Sequence, residues 1–164
     1  MNSHFRLNSK QLAFSVVMGT LALIIRNLNL YIVVLEPFRL DPRWVFSLLA
    51  ACWAGPFGGL ISGSLAAMKL PYPFFDLACI PAHFLIGLVS RYLPGNRARV
   101  FSCLLWPVFG VPAYLLMSIL FLPQVDISII AGTLTFVGVT TALLAFAVGL
   151  VLEKRAKSLL KYLD

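Results

Sequence analysis

The chain has 164 residues, 60% of them hydrophobic and 12% charged, with a mean hydropathy of +0.93 and a formal net charge of +7. That balance excludes an ordinary soluble domain and predicts an integral membrane protein, whose basic residues report topology rather than nucleic-acid binding. No GxxxxGKS or GxxxxGKT run is present to cradle nucleotide phosphates, so ATP-driven work would have to come from a partner.

Apolar segments fall at 11–35, 43–54, 57–70, 73–93, 99–122 and 127–152. A helix needs about 20 residues to cross the hydrocarbon core. The first segment lacks a small-residue cleavage site and reads as a span rather than a removable signal. Within it, Ser15, Gly19 and Ala22 recur at helical spacing and form a small-residue groove, to be filled by a helix of this chain or of a partner. The second and third segments are short. They are read as two spans, with a re-entrant pair as the alternative. Between them Ala54-Gly55-Pro56-Phe57-Gly58-Gly59 makes a hinge, since proline lacks an N–H and glycine tolerates unusual backbone angles. Beyond the hinge Gly59, Ser62, Gly63 and Ala66 keep one helix face nearly flat for close packing.

The fourth segment contains Pro81, and the fifth contains Pro107, Gly110 and Pro112, so both are expected to kink beside a cavity. The fold class is therefore an all-α integral membrane protein, a compact bundle of about six transmembrane helices with helices four and five kinked, forming one domain across 1–164. Cys52, Cys79 and Cys103 all lie in apolar segments and read as small hydrophobes, with no disulfide framework.

Placing both termini in the cytoplasm puts Arg6, Lys10, Arg91, Arg97, Arg99, Lys154, Arg155, Lys157 and Lys161 inside. Arg26, Arg39, Arg43 and Lys69 then lie outside, in a plasma-membrane protein with outer loops at 27–41, 69–72 and 123–126. Those loops bring Glu36, Asp41, Asp76 and Asp126 beside the four outer basic residues, with Tyr31, Phe38, Trp44, Tyr72, Phe74 and Phe75, either as a solvated rim with an interfacial aromatic belt or as a pocket closing over a small ligand. The run Glu153-Lys154-Arg155-Ala156-Lys157 reads as an anchor at anionic headgroups of the membrane lipid.

Ionisable residues inside spans are costly and point to function. Tyr72, Asp76, Cys79 and His83 share one stripe of the fourth helix, just after Lys69. Four readings are open: ligand contact; a metal site of His83, Cys79 and Asp76; an acid and base pair of Asp76 and His83; and a structural arrangement with Asp76 paired to Lys69 and His83 bonded to a neighbouring helix. Ligand contact is favoured. No cofactor, metal or catalytic residue is expected. The binding residues expected are Asn29, Tyr31, Lys69, Tyr72, Asp76, His83, Tyr114, Thr133 and Thr135, a set suited to a small, flat, partly polar compound.

With its Ser15/Gly19 pair early in span one and the stretch Gly55-Pro56-Phe57-Gly58-Gly59-Leu60-Ile61-Ser62-Gly63, the chain resembles the substrate-binding S components of energy-coupling factor (ECF) transporters. The resemblance implies a protein that captures a micronutrient, often a vitamin, from outside. It also implies docking on a transmembrane coupling subunit driven by two ATPase subunits. The family docks through an Ala-xxx-Ala pair in span one, to which Ser15 and Gly19, with Ala22 beyond them, are the closest match. Where many members carry an acid, this chain reads Ala66-Ala67-Met68-Lys69, and His4 does not match the N-terminal histidine of the nickel and cobalt members. The alternative is a non-transporting scaffold like the small multi-span cell-shape proteins of the MreD type. Polar residues buried in the outer half favour capture; a dry, apolar interior favours the scaffold. An intramembrane enzyme is the third reading and needs ionisable groups converging at one depth.

Overall fold

Asn8 and Gln11 open the first helix, α1 (Ser9–Asn27), by a reciprocal cap. The Asn8 side chain accepts from the Gln11 N–H at 2.7 Å, and the Gln11 side chain accepts from the Asn8 N–H at 3.1 Å. The computed structural model describes residues 7–35, 38–68, 74–121, 124, 126–156, 160 and 163. Gln11, Ser15, Gly19 and Ala22 form the buried face of α1, while Leu12, Val16, Val17, Leu21 and Ile24 face outward. Gln11 Nε2 also donates to the Leu163 carbonyl at 2.5 Å, tying the start of α1 to the end of the chain.

The segment 27–41, expected to be a loop, holds a two-stranded antiparallel hairpin, β1 (Ile32–Leu35) and β2 (Phe38–Leu40), with Ile32 opposite Leu40 and Val33 opposite Arg39. The β-branched run Ile32-Val33-Val34 favours the strand locally. Its apolar character had joined it to the first helical run.

Helix α2 (Arg43–Ala67) folds back on itself at Gly55, which has φ 76° and ψ −160°. The arms 43–54 and 56–67 run antiparallel: Ser62 Oγ donates to the Ser47 carbonyl at 3.2 Å, and Arg43 Nη1 to the Ala66 carbonyl at 2.9 Å. Each arm ends on carbonyls with no intrahelical partner. Arginines serve both: Arg43 at Ala66, and Arg91 Nη2 at the Ala54 carbonyl, 3.0 Å away.

Next come α3 (Phe74–Leu77) and α4 (Ile80–Tyr92). Pro81 sits in the first turn of α4, where a missing N–H costs nothing, so it starts the helix instead of kinking it. Similarly, α5 (Gly95–Val100) and a 3-10 turn (Phe101–Leu105) precede α6 (Trp106–Phe121), and Pro107 is the second residue of α6. Of the prolines expected to kink these segments, Pro112 alone lies beyond the first turn of its helix. The last helix, α7 (Ile127–Arg155), is capped by Asp126, which accepts from the Ser128 N–H at 2.8 Å. The Asp126 carboxyl is exposed, and the bonds it accepts from the Ser128 hydroxyl, at 2.6 Å, and from the Ser128 N–H hold it below the usual carboxylate range.

Four stretches are long and apolar enough to cross a membrane: Ser9–Asn27, Arg43–Ala67, Gly95–Phe121 and Ile127–Arg155. The number differs from the expected six for two reasons. The second and third apolar segments form one folded-back element whose arms are each about 18 Å long at the α-helical rise, and α4 has 13 residues. The core lies where these arms meet α4, α6 and α7, around Leu48, Leu49, Trp53, Ile86, Trp106 and Ala145.

Candidate functional site

At the open end of the α2 hairpin, five polar side chains converge from separate parts of the chain. Arg26 comes from the last turn of α1, Asp41 from the loop before α2, Arg43 from the first residue of α2, Asp76 from α3 and Tyr114 from α6. The Asp41-Pro42-Arg43 sequence places the first acid locally, because the Asp41 carboxylate accepts from the Arg43 N–H at 3.1 Å in an Asx turn.

Arg43 forms a two-pronged pair with Asp76, Nη1 to Oδ2 at 3.0 Å and Nη2 to Oδ1 at 2.7 Å. Asp76 also accepts from the Tyr114 hydroxyl at 2.7 Å and from Arg26 Nη2 at 2.5 Å. Four donor contacts saturate its carboxylate. Asp41 is less well served: Arg43 Nε lies 2.8 Å from its Oδ2 without an aligned N–H, and Arg26 Nη1 stands 3.6 Å away. Burial pushes the Asp41 carboxyl up from its ordinary value, against the lowering effect of Arg43 and Arg26. Arg26 is the outermost member, its side chain 22% exposed against 3% for Arg43.

An aromatic layer lies beneath. The Arg43 guanidinium carbon is 4.2 Å from the Trp44 ring centroid. Trp44 neighbours His83 at 5.2 Å, Trp106 at 5.5 Å and Tyr114 at 6.2 Å between centroids. His83 Nδ1 lies 2.8 Å from the Cys79 carbonyl, which only accepts, so in the neutral ring the proton is on Nδ1 and Nε2 accepts from Ser47 Oγ, also 2.8 Å away. Both ring nitrogens are thereby engaged within the chain.

This arrangement brings together three of the expected binding residues: Asp76, His83 and Tyr114. Lys69 and Tyr72 lie outside the described residues. Asn29 is exposed in a left-handed conformation, φ 53°, and Tyr31 is half-buried with the Arg39 guanidinium carbon 4.1 Å from its ring centroid. Thr133 is half-buried and Thr135 exposed on α7. The structural reading that paired Asp76 with Lys69 has its counterpart in the two arginines, the partners found for Asp76 among the described residues. No three His, Cys, Asp or Glu side chains among the described residues group to hold a metal.

The Ser15, Gly19 and Ala22 face does not stand open. A Cβ on Gly19 would lie 2.6 Å from Leu65 Cδ1 and 3.0 Å from Ser62 Cα, so the second arm of α2 fills the groove. The small residues serve close packing inside the chain, so of the two occupants open for this groove the helix of this chain is the one found there.

Sequence reasoning grouped Arg26, Asp41, Arg43 and Trp44 with Asp76 at the outer end without naming those four as binding residues, and it missed Ser47 and Trp106. Arg26 carried the clearest available signal, a lone charge at the end of an apolar helical run. A solvated rim was one of the readings open for these ionic residues, whereas Asp41, Arg43 and Asp76 are all buried.

Comparison of the chain with known protein families, with characterised proteins and with solved structures finds no match to any of them.

Proposed function

We propose that the protein is a membrane-embedded capture subunit of the ECF S-component kind. In this reading it binds a small, micronutrient-like molecule at the Arg26, Asp41, Arg43, Asp76 and Tyr114 end, and hands it on through a transmembrane coupling subunit driven by two ATPases. The observation that carries the reading is the burial of this charged cluster in a chain only 12% charged. Removing each ion from water costs several kcal/mol even after relaxation, and well-packed apolar residues of similar volume are often as stable or more so. A scaffold of the MreD type gains nothing from that outlay. A capture protein needs fixed polar groups set against aromatic faces, which is what Trp44, Trp106, Tyr114 and His83 supply.

The finer points belong to the same proposal. The chain passes through the membrane six times with the folded-back α2 counted twice, and the end holding Gln11, Arg91 and Leu163 faces the cytoplasm with most basic residues. The coupling subunit meets a surface other than the covered Ser15, Gly19 and Ala22 face. The experiment is purification from the native membrane followed by mass spectrometry of small molecules released on denaturation. A bound compound that also raises the melting temperature of the ligand-free protein supports capture. No released compound, together with no shift across a vitamin and amino-acid panel, favours the scaffold. Labelling of a cysteine placed at Asn96 from outside intact cells would overturn the orientation.

A further inference from the structure

The two acids of the cluster differ in how completely they are used. Asp76 has a donor contact on every side, from Arg43 twice, from Tyr114 and from Arg26. A ligand reaching it would have to displace a charge-assisted bond of equal quality, with no gain. Its job is to hold the two guanidinium groups in place. Asp41 retains acceptor capacity, and its contact with Arg26, at 3.6 Å, is the longest ion pair of the cluster. Arg26 and Arg43 each bury an Nε with no hydrogen-bond partner among the described residues, but only Arg26 is partly exposed, its side chain 22% against 3%. Arg26 Nη1 and Asp41 Oδ2 thus stand 3.6 Å apart, beyond hydrogen-bond reach, in the cluster's most exposed pair, side chains 22% and 8% exposed.

Charge narrows what fits between them. Among the described residues the cluster holds two arginines and two aspartates, so its formal charges cancel. A ligand with a net charge would leave one unit uncompensated in a poorly solvated place. A neutral molecule would not.

We infer that the Arg26–Asp41 contact is the part of the cluster that opens to a ligand, and that it admits a molecule of no net charge with an acceptor for Arg26 set beside a donor for Asp41. A zwitterionic α-amino acid and a ring carboxamide both present that edge. Arg43 and Asp76 act as positioning residues behind it. The inference rests on the capture reading above and deepens it by naming the ligand class.

The test uses matched probes and melting-temperature titrations of the purified full chain. One set is tryptophan, indole-3-propionate and tryptamine; the other is nicotinamide, nicotinate and 3-picolylamine. In wild type the neutral member of at least one set should bind about tenfold or more tighter than its anionic and cationic relatives, the worth of one charge-assisted hydrogen bond. Asp41→Asn should move the preference towards the carboxylate, Arg26→Gln towards the amine, and Arg26→Lys should keep the wild-type order. A charged member binding best in wild type, or an order that neither variant moves, overturns the inference. If no probe binds and the small molecule released from the native-membrane preparation carries a net charge, the ligand class is wrong and capture stands; if the released molecule has no net charge the class holds, and if nothing binds or is released both fall.

Discussion

The two ends of the α2 hairpin are built on opposite principles. At the closed end the backbone turns at Gly55, and α4 crosses it so tightly that a Cβ on Gly87 would lie 2.5 Å from the Gly55 carbonyl carbon and oxygen. Order there comes from missing side chains, with Arg91 covering the freed Ala54 carbonyl. At the open end the arms are held by charge: Arg43 caps Ala66 with one nitrogen and grips Asp76 with both Nη atoms. The closed end is cheap and rigid. The open end is costly to bury, and its longest ion-pair contact, Arg26 to Asp41, is also its most exposed.

Breaking the charged end should have the largest effect. Arg43→Met leaves Asp76 buried with one cation fewer and strips the Ala66 cap, and should cost about 3–5 kcal/mol, read as a drop in melting temperature in detergent. Adding Asp76→Leu should recover most of that loss, because the stranded carboxylate is then gone. Failure of the double variant to recover would show that the ion pair itself, and not the stranded charge, holds the open end together.

The closed end comes next. Gly87→Ala should cost about 1–3 kcal/mol through overpacking against backbone that cannot step aside. It should do so without altering ligand preference, since the contact lies at the opposite end of the hairpin from Asp41. Tyr114→Phe sharpens the charged end more gently. It removes one of four donors to Asp76 and should cost about 1–2 kcal/mol, with a thermal melt as the measure. The smallest effect is the control. Gly132 on α7 has nothing within 4 Å of an added Cβ, so Gly132→Ala should be stabilising by about 0.5–1 kcal/mol.

What the sequence made legible follows the same division. The hinge at Gly55-Pro56 could be read because its cause is local: glycine and proline act on their own backbone. The flat faces of Gly19, Gly59 and Gly63 were legible as packing surfaces, although not which neighbour each would meet. Gly19 meets Leu65 and Ser62, and Gly59 meets the His83 carbonyl. The charged cluster was hidden because Arg26, Arg43, Asp76 and Tyr114 are joined only through tertiary contacts across three helix boundaries. Asp76, His83 and Tyr114 were named individually from the cost of polar groups in apolar runs. Their charged partners stayed between a solvated rim and a pocket because a charge near a helix end looks the same in sequence whether it faces water or another charge. The hairpin of β1 and β2 was missed for a different reason: a short β-branched run following an apolar helix shows no break in hydropathy.

The most direct test is to compare what wild type and the Arg26→Gln/Asp41→Asn variant retain when each is purified from the same native membrane. This double change keeps the cluster's charges balanced and leaves the Arg43–Asp76 pair intact. Wild type should release a small uncharged or zwitterionic molecule on denaturation; re-added at about a hundredfold excess over its dissociation constant, it should stabilise the protein by about 2.7 kcal/mol. The variant should remain folded and release little or none. Equal retention by both proteins, or a folded wild type that releases no small molecule, would contradict the assignment of this end of the hairpin as a ligand site.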